Sequence, residues 1–445
     1  MTTRKESGAT APNILWIFGD QHRAQALGTM GDPNLSTPHI DALAADGVTF
    51  DRAVAGCPLC CPYRGSLLSG RYPHKAVPGH QMRLPADLFT IAQPFKAAGY
   101  DTAWYGKWHV DGFQEKEGRA AFHQVPKERR GGFDTWIGYE NNNAQYDAWV
   151  HGHRGADEVE LQRLPGYETD ALTDMLIAHI RAKGSAPLFA ALSVQPPHNP
   201  YVAPPEWMGR HTPGQVELRP NVPPVARIID KARRDLAGYY AMIENLDWNV
   251  GRVVQVLREE GLNDDTHIFF FSDHGDLHGS HGQFLKTAPW EEAIRVPCVL
   301  GGGRRYELKS GAISDAPLNH VDIGPTSLGL CGIEVPDWMP GTDYSHHRQR
   351  KLAGDEPDSA FLQLVVPTGH GNSVDRPWRG VATRDGWKYV ALEGQPWLMF
   401  NLAEDPYELA NLAHNTAFRA ERQRLQERLA GWIDETGDVF ALPEL

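Results

Sequence analysis

The sequence predicts an α/β fold: a large, mainly parallel sheet sandwiched by helices, followed by a smaller C-terminal α+β domain with a short antiparallel sheet. Three observations predict it. Short apolar runs recur at 13–18, 102–105, 188–194 and 267–271, and each ends in a polar cluster. Helical spacing fills chain between them, as in Tyr239, Ile243, Leu246, Val250, Val253 and Leu257 within 232–259. After about residue 350 the pattern changes to short strand-like segments and one amphipathic helix.

Taken in order, the first strand (13–18) leads directly to Asp20 and Gln21. A helix follows: Thr37 is placed to cap it, Pro38 suits the first helical position, Ile40, Leu43 and Ala44 form the stripe, and Gly47 ends it. The later strands run into Gly106-Lys107-Trp108-His109, Gln195-Pro196-Pro197-His198 and Ser272-Asp273-His274-Gly275. In a parallel α/β sheet the ligand site lies beyond the carboxyl ends of the strands, so these clusters should converge on one edge. His346-His347-Arg348-Gln349-Arg350-Lys351 reads as a solvated basic connector. Beyond it come strands at 380–383 and 387–392, a turn at Arg384-Asp385-Gly386, and a helix with Phe418, Leu425, Leu429, Trp432 and Ile433 on one face. The expected division is a catalytic domain, 1–350, and a C-terminal α+β subdomain, 351–445.

Composition limits the function. The chain has 445 residues, 41% hydrophobic and 22% charged, as a globular protein does. Its formal charge of −13, from 43 basic and 56 acidic residues, argues against nucleic acid or an anionic membrane surface as a partner. An anionic substrate would need a local cluster of cations. Five cysteines, three of them within 57–61, do not suggest a disulfide framework. The apolar run 14–18 is too short for a signal-peptide core or a membrane span, so a cytoplasmic setting is expected.

The most specific signal is Cys60-Cys61-Pro62-Tyr63-Arg64-Gly65-Ser66-Leu67-Leu68-Ser69-Gly70-Arg71, of the form C-x-P-x-R-x-x-x-L-x-G. Only Cys60 has proline two and arginine four residues on; Cys61 meets Tyr63, and Cys57 meets Leu59. Pro62 suits a helix start, which places residue 60 at the positive end of a helix dipole with Arg64 one turn in. This motif closely resembles the modification signature of type I sulfatases, members of the alkaline phosphatase superfamily. Tyr63 stands where that family usually has a small residue. The resemblance covers nearly the whole chain, from residue 13 to about 411.

That resemblance implies that Cys60 is oxidised to formylglycine by a separate generating or maturase enzyme, and that the hydrated aldehyde is the nucleophile. It implies a divalent metal held by Asp20, Gln21, Asp273, His274 and residue 60; Ca²⁺ stands first, and Mg²⁺ or Mn²⁺ also suits such ligands. Lys107 would grip sulfate, and His109 would take the proton whose removal releases it. His198 would serve the leaving-group side, and Lys286 would contact both sulfate and leaving oxygen. Arg64, Lys107 and Lys286 then form the cationic pocket that the acidic chain otherwise lacks. For the leaving group the substrate-binding candidates are His80, Gln81, Arg83, Asn143, Trp378 and Arg379. Residues 129–134 and 140–145 lie in an insertion that could also read it.

The expected reaction is hydrolysis of a small anionic sulfate ester, from a sulfated carbohydrate or an aryl or other organic sulfate. A phosphonate or phosphate ester hydrolase of the same superfamily is the alternative, and His109 weighs against it. A silent sulfatase-like binding protein, with Cys60 unconverted, is the third reading. Homo-oligomer formation is left open.

Overall fold

Alternation along the first strand decides the architecture. The computed structural model describes residues 11–304, 310–349, 354–369 and 373–444. In β1 (Asn13–Gly19), Ile14, Trp16 and Phe18 enter one core and Leu15 and Ile17 the other, and all are buried. Successive side chains of a strand point to opposite faces, so a strand apolar at every position needs cover on both.

The remaining strands of the sheet are β2 (Val48–Phe50), β3 (Asp101–Lys107), β4 (Thr135–Tyr139), β5 (Trp149–Arg154), β6 (Asp157–Arg163), β7 (Leu188–Ser193), β8 (Thr266–Ser272), β9 (Cys298–Gly302) and β10 (Ala312–Ser314). Their order is β10-β2-β9-β8-β1-β7-β3-β4-β5-β6. The five central strands β8-β1-β7-β3-β4 are parallel, and antiparallel pairings begin on both sides of them. One face is covered by the helices Pro38–Ala45, Glu168–Ala182 and Ala226–Glu259. The other is covered by Cys60–Ser69, Ala92–Ala97 and Ile323–Leu330. The expected α/β sandwich is present.

A second, antiparallel sheet follows in the order β11 (Ser359–Leu364), β12 (Trp378–Thr383), β13 (Trp387–Leu392), β14 (Gln395–Asn401). Its two faces do different work. Phe361, Val381, Tyr389 and Met399 pack under the helix Arg419–Thr436 through Leu425, Leu429 and Trp432. Ala360, Leu362, Trp378, Val390 and Phe400 pack on Val54, Cys57 and Leu59, the segment leading into the Cys60 helix. The Gln363 amide N–H donates to Gly56 O at 2.6 Å, which ties this sheet to that segment.

Several local expectations need correction. Thr37 does occupy the N-cap position, but its hydroxyl donates to Asp41 at 2.9 Å and does not cap the helix backbone. The free N–H groups of His39 and Ile40 donate instead to Asp247 Oδ1, at 3.0 and 2.7 Å, from the long helix Ala226–Glu259. A buried carboxylate from a neighbouring helix thus replaces the local cap. The Pro38–Ala45 helix has Asp46 as its C-cap, and Gly47 stands just past it, as expected. The connector is not solvated: His346 and Arg348 are buried, and Arg348 donates to Asp46 O and Gly302 O, both at 2.6 Å. Arg350 and Lys351, with the expected domain boundary, lie outside the described residues.

Candidate active site

Four neighbouring strands deliver the site. β8, β1, β7 and β3 run parallel, and beyond their carboxyl ends lie Asp273-His274, Asp20-Gln21, His198 and His109. Lys107 is itself the last residue of β3. The Cys60–Ser69 helix ends its approach at the same edge, with Cys60 as its first residue.

Cys60 is the meeting point. Its Sγ lies 3.0 Å from Lys286 Nζ, 3.2 Å from His274 Nε2 and 3.6 Å from Asp20 Oδ1. Asp20, Cys60, Asp273 and His274 hold ligand atoms all within 4.8 Å of one another, and all four residues are buried. Arg64 reaches back one turn and bridges the two carboxylates, 3.3 Å from Asp20 Oδ2 and 3.2 Å from Asp273 Oδ2. Its Nη1 also donates to Ser193 Oγ at 2.7 Å and Lys107 O at 3.0 Å. Lys107 Nζ is 2.7 Å from Asp20 Oδ2.

Gln21 has φ of 74°, in the left-handed region that costs a non-glycine residue. The conformation is held from both sides: its N–H donates to Asp273 Oδ1 at 3.0 Å, and Tyr239 donates to its carbonyl at 2.8 Å. Its side-chain Nε2 donates to Asp276 Oδ2 at 2.6 Å, so Oε1 is turned to Lys286 Nζ at 3.0 Å. A carboxylate only accepts, which fixes which end of the amide faces the cluster.

Burial and charge set the protonation pattern. Burial alone would raise Asp20, but Lys107 and then Lys286 hold it well below the carboxylate range. Asp273 is raised, first by burial and then by the Asp20 charge. Two buried carboxylates side by side, joined by a neutral imidazole and an amide oxygen, are a donor set that suits a hard divalent cation. His274, His109 and His198 are all lowered, with burial the largest cause; Lys107 adds to it at His109 and Lys286 at His198. His109 is 3% exposed, and neither ring nitrogen has a hydrogen-bond partner. His198 Nδ1 contacts Asn199 O at 2.7 Å.

The leaving-group candidates divide. His80 and Gln81 flank the site: His80 Nδ1 is 3.9 Å from Cys61 Sγ, and the Gln81 N–H donates to that sulfur at 3.3 Å. Arg83 is exposed, with Nε donating to Asp111 O at 2.7 Å. Asn143 is exposed and accepts from Gln195 Nε2 at 3.1 Å, at the wall of a cavity of about 300 Å³ lined by Glu115, Arg119, Asn141 and Asn142. Trp378 and Arg379 are built in instead. Trp378 is buried and donates to Thr287 O at 3.1 Å, and Arg379 pairs with Asp438 and donates to Leu364 O at 2.9 Å. Arg129 likewise pairs with Asp111, and Glu140 accepts the N–H groups of Asp111, Gly112 and Phe113, so these brace the insertion.

Sequence reading missed Ser193, Asp276 and Tyr201. Tyr201 donates to Asp276 Oδ2 at 2.7 Å and completes the group that orients Gln21. Asp276 was within reach as a signal, three residues after Asp273; Ser193 closes an apolar run and carries none.

The Sulfatase family model matches residues 12–333, and the model for N-sulphoglucosamine sulphohydrolase, C-terminal, matches 279–435. The chain is 34% identical to an ulvan-active sulfatase of Formosa agariphila, over 99% of this chain and 84% of that one. A solved structure in complex with its substrate D-glucosamine-2-N,6-O-disulfate has a TM-score of 0.84 at 21% identity, covering 96% and 98% of the two chains. The phosphonate monoester hydrolase of Agrobacterium radiobacter also shares the fold, with a TM-score of 0.76, 22% identity and 96% coverage of each chain. Among the described residues no helix is long and apolar enough to cross a membrane. The family model spans well over half of the chain, and the chain belongs to the sulfatase family: it is a sulfuric ester hydrolase.

Proposed function

We propose that this sulfatase hydrolyses a sulfated carbohydrate, or failing that a small aryl or organic sulfate, with Cys60 as precursor of its nucleophile. One observation carries the reading: the Cys60 sulfur stands at a helix start within 3.6 Å of a carboxylate, an imidazole and an ammonium. The side chains of Asp20, Gln21, Asp273 and His274 would hold a divalent cation, Ca²⁺ first. Formylglycine at residue 60 supplies a hydrated aldehyde for attack on sulfur and for release of sulfate, and the cation supplies Lewis acidity to both partners.

The protein's own groups do the rest. Arg64 holds Oδ2 of each carboxylate, which leaves Oδ1 of each on the side of His274. Lys107 and Lys286 hold the sulfate oxygens with preset charge in a buried site. His109 is neutral and without a partner, so it is ready to accept the proton whose removal lets sulfate leave. His198 starts neutral too, held down by burial and Lys286; an incoming sulfate offsets that lysine and lets His198 carry a proton to the leaving oxygen. Cys60 is 1% exposed, so an oxidising enzyme would meet it before the chain closes over it. The five cysteines are unpaired, which fits a reducing cytoplasm. In this reading residues 1–350 form the catalytic unit and 351–445 brace it.

The sugar preference rests on the likeness to the ulvan-active sulfatase and on the polar cavity beside Asn143. Matched kinetics on sulfate, phosphate and phosphonate esters, with sulfated mono- and disaccharides in the panel, test it. The sulfate esters should dominate; a faster phosphonate rate sinks the reading. Mass spectrometry of the tryptic peptide 53–64 should show an aldehyde at residue 60, and a thiol in active protein overturns the nucleophile.

A further inference from the structure

A second group of soft ligands lies beside the nucleophile, beginning at the next residue of its helix. Cys61, His80 and His109 present one ligand atom each, all within 4.8 Å of one another. Cys61 is buried at the second position of the Cys60 helix, His80 is partly buried, and His109 follows β3. The rings of His80 and His109 are 5.9 Å apart and edge-on, so their nitrogens can face a common point. Cys61 Sγ and His80 Nδ1 are 3.9 Å apart. Tetrahedral zinc, with a Zn–S bond of about 2.3 Å and a Zn–N bond of about 2.0 Å, places those atoms about 3.5 Å apart. A few tenths of an ångström, well within the reach of the partly exposed His80 ring, separate the two.

His109 supplies the independent observation. It is 3% exposed, and neither of its ring nitrogens has a hydrogen-bond partner. A buried imidazole with both nitrogens open is costly unless something arrives to use them.

We propose that Cys61, His80 and His109 form a Zn²⁺ site, distinct from the hard-cation site at Asp20 and Asp273, whose occupation takes His109 out of the reaction. The two sites divide by ligand chemistry: carboxylates and an amide oxygen on one side, a thiolate and two imidazoles on the other. Coordination displaces the Cys61 thiol proton to solvent, and the thiolate neutralises one of the two charges of the Zn²⁺. The fourth position is left to water. Zinc is thus an inhibitor here, acting on the group that the proposed reaction needs for sulfate release. Only the inhibition rests on that proposed role; the binding does not.

The test separates them. In full-length Cys60→Ser protein saturated with Ca²⁺, one equivalent of Co²⁺, used as the zinc stand-in, should give a thiolate-to-metal charge-transfer band. The band should vanish in Cys60→Ser/Cys61→Ser and weaken in Cys60→Ser/His80→Ala. In active enzyme with Ca²⁺ in excess, Zn²⁺ should inhibit, and Cys61→Ser should keep its basal rate while needing at least tenfold more Zn²⁺. No band at one equivalent overturns the site, as does equal zinc sensitivity in Cys61→Ser. A band without inhibition keeps the site and overturns the role assigned to His109.

Discussion

Two buried charge clusters sit within this molecule, and they resolve their charge in opposite ways. At the sheet edge three cations, Arg64, Lys107 and Lys286, face two carboxylates, Asp20 and Asp273. Where the second sheet meets the main body, Lys388 of β13 is fully buried between Glu291 and Glu408. There the surplus is negative, and it is relieved by a proton. Burial pushes Glu408 well above the carboxylate range, against the pull of Lys388. The structural cluster closes on itself as one cation and one anion. The sheet-edge cluster keeps an uncompensated positive charge, raised further by any divalent ion, and so remains poised for an anion. Buried ions are costly in proportion to what is left unpaired, and only a site that meets a charged ligand gains by leaving a surplus.

Breaking the closed cluster should therefore cost fold and not chemistry. Lys388→Met leaves a buried carboxylate without its cation, at about 3–5 kcal/mol of stability. Urea unfolding should read that loss, while kcat of the folded fraction stays at the wild-type value. A drop in kcat at unchanged stability would mean that the second sheet takes part in the reaction directly.

The open cluster should do the reverse. Lys286→Met removes a surplus cation, so stability should hold or rise. Losing one preset charge from the sulfate oxygens should lower kcat about 10²–10³-fold. Paired unfolding and turnover measurements check both halves, and a large stability loss without a rate loss would make Lys286 a structural ion.

The sequence made the open cluster far more legible than the closed one. A strand that ends in Asp-Gln or Asp-His announces its chemistry, because parallel strands all deliver their ends to one edge. Cys60 and Arg64 were readable from residue types at fixed spacing, and Lys107 and Lys286 from the resemblance to type I sulfatases. Lys388, Glu291 and Glu408 carry no such signal, since their meeting depends on how β13 docks against the short helix Glu291–Ile294, 97 residues away in sequence. The strands missed fail for a similar reason. β6, with sequence DEVELQR, is mostly exposed, so no apolar run marks it, and β9 is five residues with two glycines. Trp378 and Arg379, offered as substrate-binding candidates, are packed inward instead, the arginine against Asp438 and the tryptophan on Thr287 O. Thr37 misled, since Asp247 arrives from another helix to take the capping role.

A quieter feature of the open cluster is the amide of Gln21, whose orientation Asp276 sets through one hydrogen bond. Asp276→Asn supplies a donor and removes the charge, so the amide can turn its nitrogen to the cation site. Outer partners of this kind typically change metal affinity about 10–100-fold. Calorimetric titration of Ca²⁺ into metal-depleted protein should show a loss in that range, and unchanged affinity would remove Gln21 from the ligand set.

A third way to handle buried charge is to shed it, and His320 does so. Burial holds it down to about 3; its Nδ1 accepts the Gly56 N–H at 2.9 Å, and its ring stacks on Tyr63 at 4.8 Å. Its folded value lies below the ordinary 6.5, so below that pH the unfolded chain binds a proton that the native state refuses. The contribution is whole above about pH 6.5 and is lost steadily as pH falls toward the folded value. His320→Gln keeps an acceptor for Gly56 but cannot titrate. The stability gap between wild type and variant should therefore shrink by about 1.5 kcal/mol from pH 6.5 to pH 5. Denaturant curves for both proteins across that window decide it: a gap that does not move with pH would mean that His320 stays charged inside the fold, and that this cluster too keeps its ion.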